Sequence, residues 1–212
     1  MTDLQPLWDA ARTALIGAKP AHDFLHVQRV TTNAQRIARA EGADIDVVTA
    51  AAVLHELVNL PKDHPRSSES GDLCANAART LLTEQGWPAH RLDAVCLCIR
   101  DHAWSKGASP TTLEVAVLQD ADRLDAIGAI GVARCMATSG ELGRRLYNDN
   151  DPFCETRTPN DRDNALDHFF RKLLHIEAKL NTEEGRKMAR ERTTFLHQFI
   201  EQLKTELLPD AP

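Results

Sequence analysis

The sequence has no excess of basic residues, and this absence limits the partners it can have. Its 25 Lys and Arg residues are outnumbered by 31 Asp and Glu residues, which gives a formal net charge of −6. A dedicated nucleic-acid or anionic-membrane binder needs a basic face, so we expect neither a nucleic-acid polymer nor a membrane as partner. The net charge does not exclude an anionic small substrate, because nearby Lys or Arg side chains or a bound metal set the local charge of a binding site.

The chain also has no Cys-x-x-Cys pair and no long apolar segment. Its five cysteines are odd in number, and Cys96 and Cys98 point in different directions if they lie on one helix. We therefore predict reduced, partly buried thiols. The N-terminus shows no apolar run of signal-peptide length, and no stretch is long enough to span a bilayer. Together these features predict a cytoplasmic location.

No convincing alternating strand and no internal repeat interrupt a pattern that is helical almost throughout. Typical is the apolar stripe Val27, Val30, Ala34 and Ile37, which Gly42 closes. The 212 residues are enough for one good-sized core. We predict an all-α fold of about eight to ten helices, forming a single domain over 1–212 with its core at about 20–208.

Caps and a polar segment mark the boundaries of these helices. Asp23 is predicted to cap the helix that contains His26, and Thr182 to cap the last helix. Residues 148–164 are rich in Asn, Asp and Pro, and they predict a long polar loop. Loops of this length inside a compact domain are often functional or mobile.

A buried acid gives the first indication of chemistry. Residues 50–58, AAAVLHELV, are apolar nearly all round, so the pattern predicts an interior helix that carries His55 and Glu56. An isolated buried carboxylate is costly unless it is paired or binds a metal. The pair therefore indicates a metal site, or else a buried polar pair satisfied by Arg partners.

Three motifs in one order carry a resemblance to a known family. They are HDxxHxxxV around His26, LHELVNLPK around His55 and Glu56, and QDADRLDAIGAIG around Asp122. Over about residues 20–208 the chain resembles the HD-domain metal-dependent phosphohydrolases, and within them a bacterial subgroup of predicted hydrolases. The resemblance implies a helical HD domain with one divalent metal ion, whose ligands are His26, His55, Glu56 and Asp122. Its Ala-Asp-Arg-Leu string selects Asp122 over Asp120 and Asp125.

The motifs depart from the family pattern at two positions. The usual His-Asp pair is His55-Glu56 here, and Glu is one methylene longer. Glu56 is expected to bind the metal with a shifted backbone, to bind it differently, or to bind it weakly. The guanosine tetraphosphate hydrolases of the superfamily carry an acid three positions after the pair, where this chain has Asn59. Their detailed mechanism is therefore not transferred.

Two imidazoles and two carboxylates suit Mn²⁺, Mg²⁺, Fe²⁺, Ni²⁺, Co²⁺ or Zn²⁺. Such an ion can activate a water and polarise a phosphoryl oxygen. Lys62 and Arg66 are candidates to hold phosphate, or else they belong to a solvated loop. His102 is expected to transfer a proton, contact phosphate or bind a second metal, unless it only caps a helix. Asp125 is a candidate to orient a ligand histidine.

These observations predict a metal-dependent phosphohydrolase acting on a phosphate ester or anhydride. The resemblance favours a small phosphorylated substrate such as a nucleotide. One alternative is a degenerate, non-catalytic HD module that binds a nucleotide or a partner. A second is a di-iron oxygenase with the HD fold, which needs further ligands, and His102 is the evident candidate.

Overall fold

The computed structural model describes residues 3–19, 21–58, 60, 65–66 and 69–207. Within these residues it contains no β-strand, which confirms the predicted all-α class, and an isolated bridge joins Arg145 to Asn164. The described residues form nine α-helices, a number within the predicted range. They are α1 Gln5–Ala14, α2 Phe24–Glu41, α3 Ile45–Leu54, α4 Ser70–Glu84, α5 Ala89–Asp101, α6 Leu113–Leu124, α7 Gly128–Glu141, α8 Asp167–Arg171 and α9 Glu183–Leu207.

The chain divides into two compact units. The first comprises Met1–Arg123 with Asn181–Gly185, and the second comprises Leu124–Leu180 with Arg186–Pro212. The single domain expected over 1–212 therefore stays a prediction. Among the described residues, no helix is both long enough and apolar enough to cross a bilayer.

Helix α3 is the centre of the first unit. It contacts α1, α2 and α5, and every residue from Val47 to Leu54 is buried. This explains why its sequence is apolar all round, since each face of the helix meets a neighbour. The predicted helix is nevertheless too long, because α3 ends at Leu54 and His55 is its C-cap residue.

The helix boundaries in the first unit follow the caps in the sequence. Asp23 Oδ1 accepts a hydrogen bond from the His26 amide at 2.8 Å, so the predicted cap of α2 is confirmed. Gly42 ends the helix with φ of 78°, a left-handed conformation that favours glycine. The predicted cap at Thr182 is also confirmed, because its Oγ1 accepts from the Gly185 amide at 3.1 Å.

The polar loop at 148–164 in the second unit is irregular but extensively hydrogen-bonded. Arg157 donates to both carboxylate oxygens of Asp167, one of them at 2.7 Å, and Asp167 is fully buried. Asp151 accepts from the amides of Glu155 and Thr156. The bonds compensate for the absence of regular secondary structure.

All five cysteines lie in the described part of the chain and are free thiols. Cys74, Cys96, Cys98 and Cys135 are buried, whereas Cys154 is partly exposed. This matches the prediction of reduced, partly buried thiols.

Candidate metal centre

The structure brings the four predicted ligands together in the first unit. His26 lies in the first turn of α2 and is fully buried. His55 caps α3, Glu56 follows it in a turn, and Asp122 lies in the last turn of α6. Three separate elements of the chain therefore supply one group of side chains.

The ligand atoms of this group converge around His26. Its Nε2 lies 3.2 Å from His55 Nε2, 3.6 Å from Asp122 Oδ1 and 3.8 Å from Glu56 Oε1. His55 Nε2 is 3.9 Å from the same Glu56 oxygen. Donors bonded to one first-row ion at about 2.0–2.3 Å lie about 3 Å apart at right angles and about 4 Å apart when opposite. The distances from His26 therefore suit ligands of one divalent cation. The ligand atoms of His26, His55 and Asp122 lie within 4.8 Å of one another, and Glu56 forms a second such group with His22 and His26.

The His55 ring is fixed in the form that a metal ligand needs. Its Nδ1 lies 2.7 Å from the Ala52 carbonyl oxygen. A carbonyl only accepts, so Nδ1 carries the hydrogen and the neutral ring presents a lone pair at Nε2. Burial lowers the pKa of His55 to about 4, although the Glu56 charge opposes this. The imidazole is thus neutral at neutral pH.

The same hydrogen bond explains why α3 ends earlier than predicted. The last carbonyls of a helix need partners from outside the regular pattern. Here the His55 side chain donates to the Ala52 carbonyl, which would accept from the Glu56 amide in a continuing helix. The Leu57 amide instead bonds to the Leu54 carbonyl at 3.2 Å, in a tighter turn. The end of α3 places His55 and Glu56 at the edge of the core.

His22 is a member of the site that the sequence prediction did not include. Its Nδ1 lies 2.9 Å from Glu56 Oε1, and its side chain is 40 % exposed. Burial alone would raise the pKa of Glu56, but the hydrogen bond from His22 and the nearby histidines hold that pKa below its usual value. Helical spacing in the motif does not indicate this contact, because His22 precedes the Asp23 cap and lies outside α2.

His102 repeats the geometry of His55 at the end of α5. Its Nδ1 lies 2.6 Å from the Ile99 carbonyl oxygen, and its ring centroid is 5.1 Å from that of His55. His102 therefore both contacts the C-terminal end of α5 and lies beside the proposed ligand His55. Which chemical role His102 has stays a prediction.

The structure says less about the two candidates for phosphate binding, Lys62 and Arg66. Lys62 lies outside the described residues. Arg66 is exposed, and its guanidinium donates to Glu69 Oε2 at 2.8 and 3.0 Å, an arrangement that raises the Arg66 pKa. The suggestion that both residues hold phosphate stays a prediction. Asp125 is buried and accepts from Arg134 at 2.8 Å within the second unit, and its suggested role toward a ligand histidine also stays a prediction.

Asp120 has a different task from Asp122. It is fully buried, and its carboxylate accepts from the backbone amides of Asn181 and Thr182 and from the Thr182 hydroxyl at 2.7–3.0 Å. A Cβ on Gly185 would lie 2.6 Å from the same carboxylate, so the close approach requires glycine. Asp120 thus fixes the start of α9, whereas Asp122 contacts His26.

Comparison with known proteins agrees with this geometry. The family model described as HD domain matches residues 23–127, a range that contains all four predicted ligands. YpgQ of Bacillus subtilis is 31% identical over 201 residues, covering 92% of this chain and 89% of YpgQ.

Solved structures show the same similarity in three dimensions. A crystal structure of Bacillus subtilis YpgQ in complex with ADP has a TM-score of 0.72 and 33% identity, covering 94% of this chain and 97% of that one. An HD-superfamily hydrolase from Bacillus thuringiensis has a TM-score of 0.76 and 29% identity, with 96% of each chain covered. The chain belongs to the HD-domain superfamily.

Proposed function

We propose that this protein is a metal-dependent phosphohydrolase that acts on the ester or anhydride of a small phosphorylated molecule, with nucleotides favoured. The observation that carries the proposal is the clustering of four side chains, in which His26 Nε2 lies 3.2–3.8 Å from a ligand atom of His55, Glu56 and Asp122. Its relatives include an HD-superfamily hydrolase, and YpgQ was crystallised with ADP.

His26, His55, Glu56 and Asp122 would hold the cation. A divalent ion bound there supplies a water of lowered pKa and polarises a phosphoryl oxygen. Two imidazole ligands and two carboxylates would leave a site of low net charge once the cation is present. An anionic phosphate can then approach, although the chain as a whole is acidic.

The surrounding side chains orient the ligands and move the proton. The Ala52 carbonyl fixes the tautomer of His55, and His22 holds Glu56 Oε1 in place. The Ile99 carbonyl leaves Nε2 of His102 to exchange a proton with the leaving oxygen. In this proposal Lys62 and Arg66 bind the remaining phosphate oxygens, and Arg66 would have to leave Glu69 to do so.

Metal analysis and a phosphate-release screen test the proposal together. We expect about one divalent ion for each purified chain, and phosphate or pyrophosphate release from nucleotides with Mn²⁺, Mg²⁺, Ni²⁺ or Co²⁺. Asp122→Ala should abolish both metal binding and release. Asp9→Asn, at a carboxylate of α1 whose oxygen accepts from Gln5, is the control and should change neither.

Two outcomes would contradict the hydrolase. Stoichiometric metal without turnover on a broad phosphate panel would favour the non-catalytic module. Consumption of dioxygen by the Fe²⁺-loaded protein, without phosphate release, would favour the oxygenase.

A further inference from the structure

A tryptophan is exposed in the short segment between α5 and α6. Trp104 begins the 3₁₀ turn Trp104–Lys106, and 36% of its surface is accessible. It follows His102 by two residues, so their Cα atoms are at most about 7 Å apart. The Arg123 guanidinium lies 5.3 Å from the indole centroid, and Arg123 directly follows Asp122. Trp104 is thus linked to the metal centre through His102, whose ring centroid lies 5.1 Å from that of His55, and through Arg123.

The segment that carries Trp104 is held rigidly. The buried side-chain amide of Gln119 donates to the carbonyls of Asp101 at 2.8 Å and Ala108 at 2.9 Å, so one residue of α6 fixes both ends of the segment. Lys106 donates to the Arg100 carbonyl at 3.0 Å and pairs with Asp101 at 2.9 Å. These bonds remove most of the freedom that an exposed loop would lose on binding a ligand.

Gln119 also fixes the cation that contacts the indole. Its side-chain oxygen accepts from Arg123 Nη2 at 3.0 Å. A cation over the face of an indole is attracted by the ring quadrupole, so the contact restrains the orientation of Trp104. The indole is therefore oriented before any ligand arrives, with Arg123 over its ring and 36% of its surface exposed. Aromatic side chains presented in this way bind planar ligands by stacking.

We propose that Trp104 is the base-binding surface for a nucleoside phosphate whose phosphate groups reach the His26–His55–Glu56–Asp122 cluster. This inference rests on the proposed function and narrows it from small phosphorylated molecules to nucleoside phosphates. Every base has a π-face, so stacking on Trp104 tolerates different bases. The site would then distinguish phosphates that carry a base from phosphates that lack one.

Binding of ADP and of inorganic pyrophosphate, measured by calorimetry with Mn²⁺ present, tests the assignment. Trp104→Ala should weaken ADP binding about tenfold or more, as expected for loss of base–aromatic stacking. The ratio of ADP affinity to pyrophosphate affinity should fall by the same factor, because pyrophosphate has no base. Trp104→Phe, which keeps an aromatic face, should recover most of the ADP affinity.

Tryptophan fluorescence supplies a second readout. The chain has three tryptophans, and stacking of ADP on Trp104 should quench the wild-type emission. In Trp104→Phe the quenching should disappear while ADP still binds. Trp8→Phe is the matched control, because Trp8 packs edge to face on Phe24 at 5.9 Å, and its quenching should persist.

The outcomes distinguish this inference from the hydrolase proposal. Unchanged ADP affinity in Trp104→Ala, equal losses for ADP and pyrophosphate, or no ADP binding by the wild type would each overturn the base-binding role. Phosphate turnover by the wild type would leave the hydrolase intact in those cases. ADP binding through Trp104 without any turnover would instead support the base-binding role and contradict the hydrolase.

Discussion

Glu56 offers the sharpest test of the metal centre, because it replaces the aspartate usual in the family. In the structure its Oε1 is 3.8 Å from His26 Nε2 and 2.9 Å from His22 Nδ1. Glu56→Asp withdraws the carboxylate by one carbon–carbon bond, about 1.5 Å. That change would stretch the bond to His22 beyond hydrogen-bonding range, while the negative charge stays near His26 and His55.

We therefore expect the Mn²⁺ affinity of Glu56→Asp to lie within about tenfold of the wild-type affinity. Loss of a partner that orients a metal ligand typically costs about tenfold to a hundredfold in metal affinity, and the retained charge favours the lower value. Glu56→Gln keeps the shape but loses the charge, so its affinity should fall about a hundredfold, or about 2.7 kcal/mol. Calorimetric titration of the metal-free proteins measures both values. Glu84→Gln, at an exposed position at the end of α4, is the control and should match the wild type. Indistinguishable affinities in all the variants would show that Glu56 is not a ligand.

Four further substitutions distinguish residues that bind the metal, contact substrate, orient a ligand or hold the fold together. Asp122→Ala should lose metal and activity together, whereas Lys62→Ala should keep its metal and mainly weaken substrate binding or catalysis. Metal analysis of the two purified variants tests this, and equal metal loss in both would contradict the different roles of Asp122 and Lys62. His22→Ala should lower Mn²⁺ affinity about tenfold in the same calorimetric titration, because Glu56 loses the partner that orients its carboxylate. Asp120→Ala strands buried amide donors at the start of α9, so it should lower the free energy of unfolding by about 3 kcal/mol in urea titration, and an unchanged midpoint would refute its structural role.

Much of the fold follows from local patterns in the sequence. The stripe through Val27 and Ile37 and the caps at Asp23 and Thr182 act within one helix, so they can be read from adjacent residues. The end of α3 could not be read in this way. It depends on a side-chain bond from His55 to the Ala52 carbonyl, which an apolar run does not reveal.

In the candidate site, too, the sequence indicates features that lie within one motif but not contacts between residues far apart in the chain. The four proposed ligands come from motifs with a recognisable order, and the structure places His55, Glu56 and Asp122 around His26. The link between His22 and Glu56 joins residues 34 positions apart, so neither motif alone indicates it. The bonds from Asp120 to Asn181 and Thr182 span more than sixty positions, and only the folded chain shows that this acid fixes α9.

The central claim is that one divalent ion binds His26, His55, Glu56 and Asp122. A crystal structure of the Mn²⁺-loaded protein, with the ion located by its anomalous scattering, tests it most directly. We expect one peak with His26 Nε2, His55 Nε2 and the carboxylates of Glu56 and Asp122 at about 2.0–2.3 Å. An ion bound elsewhere, or bound by Asp120 in place of Asp122, would contradict it.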